Sequence, residues 1–301
     1  MHVLVTGGTG FIGKALCRAL RARGDQVSVL TRSAIRAYTV LPKDVAALES
    51  LDGLRGVDAV VNLAGENLVA GRWTEARKRR MLDSRLGITR SLIDWMAHGP
   101  APGVLLSGSA VGWYGARGEE TLTEDAPPGS ADEFQVRLCS AWEAEAAKAT
   151  ELGVRTCLLR TGLVLERDGG TLKAMLRPFR LGLGGPMGSG EQWMSWIHRD
   201  DHVALMLWLL DRDSARGAYN LTAPEPVRHR EFVEALGRAL HRPTVLRMPG
   251  FALKALVGEL ADLILTGQKV LPRRALDEGF VFRYPDLGGA LAAVLHTRKA
   301  A

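Results

Sequence analysis

The chain has 301 residues, of which 47% are hydrophobic and 24% charged, a composition typical of a soluble globular protein. This length predicts about two domains, or one large one, and excludes disorder as the main state. Lys and Arg outnumber Asp and Glu by 39 to 33, which gives a net charge of +6. The basic residues are spread along the chain, whereas nucleic-acid binding needs them clustered on one face, so we expect no nucleic-acid partner.

The cysteines and histidines predict neither a disulfide framework nor a metal site. Cys17, Cys139 and Cys157 form no Cys-x-x-Cys pair, and the seven histidines are scattered. We therefore expect buried thiols in a reducing compartment. The longest apolar run, 204–210, is far shorter than the ~20 residues that a membrane helix needs, and a strand-like run follows Met1 where a secretory signal would lie. These features predict a cytoplasmic protein without a membrane partner.

The first half of the chain alternates short apolar runs with helical patterns, which is typical of βαβ units around a parallel sheet. The predicted strands are 3–6, 26–30, 39–41, 59–63, 103–107 and 155–159. The predicted helices are 11–23, most of 73–97, and 133–152, with a loop at 108–130.

The pattern changes after Leu165. A glycine-rich turn cluster at 181–190 precedes a helix at 200–210, a strand at 219–221, a proline-containing hinge at 223–227, helices at 229–241 and 250–266, and a basic, glycine-rich tail. We predict an α/β protein in which residues 1–165, completed by about 198–222, form a doubly wound parallel sheet. Residues 166–197 and 223–301 would form a smaller, mostly α-helical substrate domain.

The strongest motif is Thr6-Gly7-Gly8-Thr9-Gly10-Phe11-Ile12-Gly13, between an apolar strand and an amphipathic helix. Gly7 permits a tight turn, Gly10 lets the backbone approach a pyrophosphate, and Gly13 lets the helix pack close to the strand. The free N–H groups and the dipole of the helix favour an anion. The context is the one that a dinucleotide phosphate cradle requires, so we assign Gly7, Thr9, Gly10, Phe11, Ile12 and Gly13 to the cofactor.

The end of the second strand indicates which dinucleotide binds. An NAD site usually has an acidic residue there for the ribose hydroxyls, but Leu30 is followed by Thr31-Arg32-Ser33. A guanidinium and hydroxyl groups suit a 2′-phosphate. We therefore predict NADP (NADPH), held by Thr31 and Arg32 with assistance from Arg36.

On these residues the chain resembles the extended short-chain dehydrogenase/reductase superfamily and, within it, the group of epimerase family proteins. The resemblance covers nearly the whole chain. The first motif is shared by the superfamily, and the later ones together are specific to the group. These motifs are TGGTGFIG at 6–13, NLAGEN at 62–67, RWT at 72–74, SR at 84–85, WE at 142–143, RTGLVL at 160–165, LGGPMGSG at 183–190, SWIH at 195–198, GQKVLP at 267–272 and GFVFRYP at 279–285.

The resemblance implies an NAD(P)-binding Rossmann domain and further cofactor contacts. Leu63 and Ala64, followed by Gly65, should lie against the adenosine half of the dinucleotide. Arg85 should reach the cofactor from the next helix, although an ion-paired helix residue is an equal alternative. Ser107 should contribute from the end of the fifth strand. The 160–164 segment, with Val164, should line the nicotinamide end.

The catalytic pattern of the superfamily is incomplete here. Its enzymes combine a Ser or Thr with a Tyr and a Lys four residues after the Tyr. Ser109 is the candidate hydroxyl, with Ser107 the lesser one. Aligning Glu143 with the Glu that often follows the Lys places Cys139 and Gln135 where the Lys and Tyr would stand, with Leu138 and Phe134 as the alternatives one residue earlier. Neither register supplies the Tyr and Lys pair.

Other groups could replace the missing pair. Tyr114 follows Ser109 and is the second catalytic candidate, with a packing role as the alternative. His198 could serve as an acid or base, but a structural role is favoured for it. A structural role is likewise favoured for Glu143, and Gln192, Trp193 and Trp196 could line a substrate pocket.

The leading functional prediction is an NADP(H)-dependent oxidoreductase or epimerase-like enzyme. Its substrate would be a small polar molecule, either free or linked to a nucleotide, and its proton relay would be atypical. The alternative is a non-catalytic NADP(H)-binding regulator or sensor, which the missing Tyr and Lys favour. Since the superfamily often forms dimers, a homodimer is the expected assembly.

Overall fold

The computed structural model describes residues 1–296. The strands are β1 His2–Thr6, β2 Gln26–Leu30, β3 Ala46–Leu48, β4 Ala59–Asn62, β5 Val104–Ala110, β6 Thr121–Leu122, β7 Arg155–Thr161, β8 Leu163–Leu165, β9 Trp193–Met194, β10 Trp196–His198, β11 Gly217–Leu221, β12 Val227–Arg228 and β13 Lys269–Val270. The α-helices are α1 Phe11–Ala22, α2 Ala34–Tyr38, α3 Glu75–Ala97, α4 Phe134–Ala147, α5 Gly170–Arg180, α6 Arg199–Asp211, α7 His229–Leu240, α8 Gly250–Val257, α9 Leu260–Thr266, α10 Arg273–Asp277 and α11 Leu287–His296. Short 3₁₀ turns span Val111–Tyr114 and Lys148–Leu152.

Seven strands form a parallel sheet in the order β3, β2, β1, β4, β5, β7, β11. Alternate residues of the strands face opposite sides, as the period of a strand requires. Val3 and Val5 of β1 join the core beneath α1 and α6, while Leu4 joins the core beneath α3 and α4. Helices on both faces of a parallel sheet confirm the predicted doubly wound α/β fold.

A second hydrophobic core lies outside the sheet. It combines β8 and α5 with α7 and α11, and Trp196 and Phe232 are completely buried in it. Helices α5, α7 and α11 come from the segments that the sequence assigned to the smaller domain, whereas β8 lies at the end of the segment assigned to the sheet, 1–165. The division into two domains stays a prediction. Among the described residues, no helix is both long and apolar enough to cross a membrane.

The predicted third strand at 39–41 is wrong. Ser33 caps α2 by accepting a hydrogen bond from the backbone N–H of Arg36, and the chain then turns through residues 39–41. The third strand is β3, which pairs with β2 from Ser28↔Ala46 to Leu30↔Leu48. The alternation of small and apolar residues around Ala47 is too short to distinguish a strand from a loop by pattern alone.

Other boundaries also differ from the prediction. Strand β5 continues to Ala110, so Ser109 lies on a strand rather than in a loop. The helix predicted at 133–152 ends at Ala147 in a 3₁₀ turn, and the one predicted at 250–266 is broken at Gly258, whose φ is +64°. The predicted tail carries β13, α10 and α11 as far as His296, while its last residues, 297–301, lie outside the described residues.

Candidate functional site

The glycine-rich loop after β1 lies within backbone contact of the end of β4. Gly7 has a φ of +67°, and a Cβ on it would stand 2.7 Å from the carbonyl carbon and oxygen of Leu63. A Cβ on Gly13 would stand 2.3 Å from the carbonyl oxygen of Gly7. The loop therefore has the close approach that the motif predicted, and only glycine fits at these two positions.

The N-terminus of α1 is open. Gly10 is its N-cap and supplies no side-chain hydrogen bond, and the first turn has no acidic residue. The first N–H groups of a helix lack partners within the helix, so this end can receive an anion. The ring of Phe11 packs over Gly169 and Gly170 at the start of α5. Thr9 and Gly10 are exposed, while Phe11 and Ile12 are partly buried.

The end of β2 is polar and open to solvent. The backbone N–H of Ser33 donates to Thr31 Oγ1 at 3.3 Å, and Arg32 is exposed. The backbone N–H of Ala34 donates to Glu49 Oε1 at 2.7 Å. Arg32 has no ion pair within the described part of the chain, so its guanidinium is available to a phosphate.

Buried hydrogen bonds join the ends of β1 and β4 to α3. Thr6 Oγ1 donates to Asn62 Oδ1 at 2.6 Å, and Asn62 Nδ2 donates to Thr89 Oγ1 at 2.9 Å. Thr6 Oγ1 also accepts from the backbone N–H of Ala64 at 3.3 Å, which orients the segment Leu63–Gly65 beside the glycine loop. Such a satisfied network rigidifies the edge of the sheet on which the candidate site is built.

Arg85 of α3 lies against this same edge. Its Nη1 and Nη2 donate to the carbonyl oxygens of Met81 and Glu66, while its Nε has no hydrogen-bond partner among the described residues. The guanidinium carbon lies 5.0 Å from the ring centre of Trp142 and 2.8 Å from the position of a Cβ on Gly65. Burial lowers the pKa of Arg85 from its ordinary value.

Ser109 on β5 is paired with a carboxylate. Its hydroxyl donates to Glu143 Oε1 at 2.6 Å, and both residues are about 95% buried. Arg160 on β7 donates from Nε to the same oxygen at 2.9 Å and from Nη2 to Glu143 Oε2 at 3.0 Å. The prediction that favoured a structural role for Glu143 missed its contact with the candidate hydroxyl. Ser107 is completely buried, and its Oγ has no partner among the described residues.

The hydroxyl of Tyr114 belongs to the same buried hydrogen-bond network. It donates to Asn220 Oδ1 at 2.7 Å and accepts from Arg160 Nη1 at 3.0 Å. Burial raises the pKa of the phenol to about 12. Its side chain is completely buried, so the geometry disfavours Tyr114 as a proton donor to a ligand.

The network continues to the C-terminal part of the chain. Glu124 accepts the backbone N–H of Asn220 at 3.0 Å and that of Arg274 at 3.3 Å. Burial raises the pKa of the Glu124 carboxyl. Asn220 Nδ2 also donates to the carbonyl oxygen of Leu271 at 2.9 Å. The polar core next to Ser109 is therefore tied to the segment that leads into α10.

Helix α4 presents neither a phenol nor an amine to this region. A Cβ on Gly112, just beyond β5, would lie 3.2 Å from Gln135 Cβ and 3.8 Å from Cys139 Sγ, so both side chains face the end of the sheet. Burial raises the pKa of the Cys139 thiol to about 12. Both Gln135 and Cys139 are uncharged at neutral pH.

The remaining candidates lie on or next to β8, β9 and β10. Val164 on β8 is buried beside Ile197. The ring of His198 stacks on Tyr284 with centres 3.9 Å apart, and its Nδ1 accepts the backbone N–H of Asp200, which caps α6. This geometry favours the structural role for His198. Gln192 is buried, with Nε2 donating to the carbonyl oxygen of Met187 at 3.1 Å.

The carboxyl ends of β1, β2, β4 and β5 thus form one edge with features of a dinucleotide site. The edge offers a glycine loop that admits no Cβ at Gly7 and Gly13, a helix N-terminus without a side-chain cap, and an exposed arginine. It also holds buried atoms of Arg85 and Ser107 that have no hydrogen-bond partner among residues 1–296. In doubly wound sheets, ligands bind outside the carboxyl ends of the strands. The fold and site together define a Rossmann-type nucleotide-binding protein.

The comparisons with known proteins identify the family. Residues 3–222 match the model of the NAD dependent epimerase/dehydratase family, and residues 248–294 match a domain of unknown function, DUF1731. The chain belongs to the NAD dependent epimerase/dehydratase family, which confirms the predicted resemblance.

Relatives extend over nearly the whole chain. The chain is 44% identical over 305 residues to the chloroplastic epimerase family protein SDR39U1 homolog of Arabidopsis thaliana, covering 98% of this chain and 87% of that protein. It is 40% identical to the epimerase family protein SDR39U1 of Mus musculus, covering 98% and 100%. The crystal structure of human SDR39U1 (isoform 2) with NADPH superposes with a TM-score of 0.90 at 37% identity, covering 98% and 99%.

Sequence reasoning missed the buried network around Glu143. One signal was present: Arg160 directly follows the apolar residues Cys157, Leu158 and Leu159 on a strand, where a buried arginine needs a partner. The register places Ser109, Arg160 and Asn220 side by side on β5, β7 and β11. That adjacency could not be derived before the strand order was known.

Proposed function

We propose that the chain is an NADP(H)-dependent oxidoreductase or epimerase-like enzyme with a Ser109–Glu143 proton relay. The observation that carries the proposal is the 2.6 Å hydrogen bond from Ser109 to a buried carboxylate at the end of β5. The substrate class is a small polar molecule with a hydroxyl or carbonyl group, free or linked to a nucleotide.

The cofactor part of the proposal rests on the edge of the sheet and on the relative solved with NADPH. The residues fit that molecule. Gly7, Gly10 and Gly13 with the N-terminus of α1 would hold the pyrophosphate, and Thr31 with Arg32 would hold the 2′-phosphate. The contacts assigned to Leu63, Ala64, Gly65, Ser107 and Val164 would complete the site. When bound, the nicotinamide would accept or supply a hydride.

The relay itself uses two residues of the chain. When the substrate carbon that bears the hydroxyl gives up a hydride, the hydroxyl would pass its proton to Ser109 Oγ, while Ser109 passes its own proton to Glu143. In the reverse direction, Glu143 would return the proton through Ser109 to the carbonyl oxygen. Arg160 would hold both oxygens of Glu143 and so keep the accepting oxygen aimed at Ser109.

The experiment has two stages. Titrations with NADPH and NADH should show tight binding of NADPH and much weaker binding of NADH, and Arg32→Asp should weaken the former. A panel of aldehydes, ketones and sugar nucleotides is then tested for turnover with NADPH or NADP⁺. Ser109→Ala should slow turnover by roughly 10²- to 10⁴-fold with unchanged NADPH affinity. The exposed Ser91 on α3 provides the control variant Ser91→Ala.

A second function is favoured because no phenol and amine pair faces the candidate site. Helix α4 carries Gln135 and Cys139 there, and the phenol of Tyr114 is enclosed by protein. The protein would then be a non-catalytic NADP(H)-binding regulator. Tight NADPH binding without turnover of any member of the panel would support this function against the enzyme. Failure to bind either dinucleotide would overturn both functions.

A further inference from the structure

Three buried side chains beside β9 carry polar atoms that the chain itself does not satisfy. Gln192, His229 and Gln268 are 6%, 2% and 5% exposed. Gln192 Oε1, His229 Nε2 and Gln268 Nε2 have no hydrogen-bond partner among residues 1–296. Buried polar atoms in folded proteins are nearly always hydrogen-bonded, so three such atoms in one place indicate that a ligand supplies their partners.

Gln192 and His229 are held by the same residue. His229 Nδ1 accepts the backbone N–H of Met187 at 3.4 Å, and Gln192 Nε2 donates to the carbonyl oxygen of Met187 at 3.1 Å. Gln192 Nε2 also donates to the carbonyl oxygen of Ile264 at 3.3 Å, so both of its protons are used. The backbone N–H of His229 donates to the carbonyl oxygen of Gln192 at 2.9 Å. The two side chains are therefore neighbours.

The alternation of side chains places Gln268 on the same face as Gln192. Trp193 forms a parallel bridge with Gly267, and the ammonium of Lys269 lies 4.8 Å from the ring centre of Trp193. Trp193 and Lys269 thus share one face of the two paired segments. Gln192 and Gln268, one residue before each of them, share the other face, which we call the inner face.

The inner face leads to the residues of the proposed proton relay. Val270, two residues after Gln268 and on the same face, packs in one hydrophobic cluster with Tyr114. The Tyr114 hydroxyl accepts from Arg160, whose other donors hold the carboxylate that is bonded to Ser109. Two residues of extended chain span roughly 7 Å. A small substrate that reacts at Ser109 can therefore reach the inner face.

The chemistry of the three atoms favours an uncharged ligand group. Burial lowers the pKa of His229 to about 4, and its Nδ1 is an acceptor, so Nε2 carries the proton at neutral pH and is a donor. Gln268 Nε2 is a second donor, and Gln192 Oε1 is an acceptor. A carboxamide or a hydroxyl group accepts and donates hydrogen bonds at once, whereas an ionised phosphate only accepts them.

The arginines next to these residues in sequence are paired with carboxylates. Arg228 pairs with Glu119, and Arg230 pairs with Glu191. Met194, which lies on the inner face, packs against the second hydrophobic core. A phosphate on the inner face would lose its hydration without gaining a charged partner from these arginines, which is costly. The surroundings therefore also favour an uncharged group.

We propose that Gln192, His229 and Gln268 form a recognition subsite for an uncharged amide or hydroxyl group of the substrate. The substrate would be a free, uncharged molecule and not one linked to a nucleotide diphosphate. The three residues bind it away from its reacting carbon and take no proton from it. This inference rests on the proposed function, because it narrows the substrate class of the same site.

Two aldehydes of matched shape test the subsite. 4-Acetamidobenzaldehyde carries an uncharged amide, and 4-formylphenyl phosphate carries a phosphate at the same position of the ring. Each is titrated into protein saturated with NADP⁺, which has no hydride to give to an aldehyde, and each is also assayed for turnover with NADPH. The wild type should bind the amide at least about tenfold more tightly than the phosphate.

Gln268→Met removes a donor that has no partner among the described residues, so the variant should fold as the wild type does. Its affinity for the amide should fall about tenfold, because one hydrogen bond to the ligand is lost, and its affinity for the phosphate should not change. Lys269→Met, on the opposite face of the same segment, is the control and should change neither affinity.

Equal affinities of the wild type for the two aldehydes, no binding of either, or full affinity for the amide in Gln268→Met would each overturn the inference. If Gln268→Met is unfolded by circular dichroism, the preference of the wild type decides. Preference for the amide without turnover would support the subsite and overturn the proposed enzyme. Turnover of both aldehydes without a preference would support the enzyme and overturn the subsite.

Discussion

Arg160 binds both oxygens of the Glu143 carboxylate, from Nε at 2.9 Å and from Nη2 at 3.0 Å, with both side chains about 95% buried. The pair joins α4 to β7, and Ser109 of β5 donates to the same carboxylate. One carboxylate therefore connects two strands and a helix at the end of the sheet. Removing one member of a buried pair leaves the other uncompensated, so this pair should matter for stability as well as for the proposed relay.

Glu143→Gln should lower the free energy of unfolding by about 3 kcal/mol, since Arg160 would remain buried beside a neutral amide. Urea denaturation of the purified variant measures the change. Glu145→Gln is the matched control on the same helix: its partners, Arg90 and Lys148, are more than half exposed, so less than about 1 kcal/mol is expected. Equal effects of the two variants would contradict a special role for the buried pair.

Tyr114→Phe should destabilise the protein by about 1–3 kcal/mol, because Asn220 Oδ1 loses its donor while Arg160 keeps other partners. NADPH affinity and turnover should be nearly unchanged in the folded variant. Thermal unfolding and steady-state kinetics together measure this. Turnover that slows by roughly 100-fold or more at unchanged stability would instead return Tyr114 to a catalytic role.

Gly13→Ala should abolish NADPH binding and lower stability, because the new Cβ would stand 2.3 Å from the carbonyl oxygen of Gly7. Gly87→Ala is the contrasting variant: Gly87 is exposed in the middle of α3 with no atom within 4 Å of a Cβ. It should stabilise the protein by about 1 kcal/mol and leave binding intact. Fluorescence titration measures the NADPH affinity of both variants, and urea denaturation measures their stability. Together they distinguish the steric clash of a new Cβ from the effect of replacing a flexible glycine in a helix.

Stability should fall as the pH falls below neutrality, because burial lowers the pKa of three histidines, His198, His202 and His229. Burial lowers the pKa of His202 to about 3 and that of His229 to about 4. The unfolded chain takes up a proton near pH 6.5, whereas the folded protein does not until the pH reaches these lower values. Stability is therefore complete above about pH 6.5, and His202 and His229 should each remove about 2 kcal/mol between pH 7 and pH 5.

Urea denaturation at pH 7 and pH 5 measures this pH dependence, and His202→Gln should reduce the difference between the two pH values by about 2 kcal/mol. Leu205→Ala on the same helix is the control, since Leu205 is completely buried and does not titrate. It should lower stability at both pH values and keep the difference between them. An unchanged pH dependence in His202→Gln would contradict the buried neutral state of His202.

The sequence by itself determined the glycine loop of the candidate cofactor site. The glycine spacing from Gly7 to Gly13, a strand before it and a helix after it are adjacent in sequence, so their geometry follows from short-range constraints. The same holds for the alternating strands and helices that predicted the parallel sheet. Short or weakly patterned elements were missed: β3 is three residues long, and the break at Gly258 is one residue in an apolar helical pattern.

Only the tertiary structure brought together the residues of the proposed proton relay. Ser109, Glu143, Arg160 and Asn220 are separated by up to 111 residues in sequence, and they meet because β5, β7 and β11 are neighbours in register. Which carboxylates fold near Arg85 is likewise decided by the tertiary structure, and none among the described residues forms an ion pair with it. Local patterns specify turns, helices and strands, but which buried polar side chains satisfy one another is set by strand order and packing.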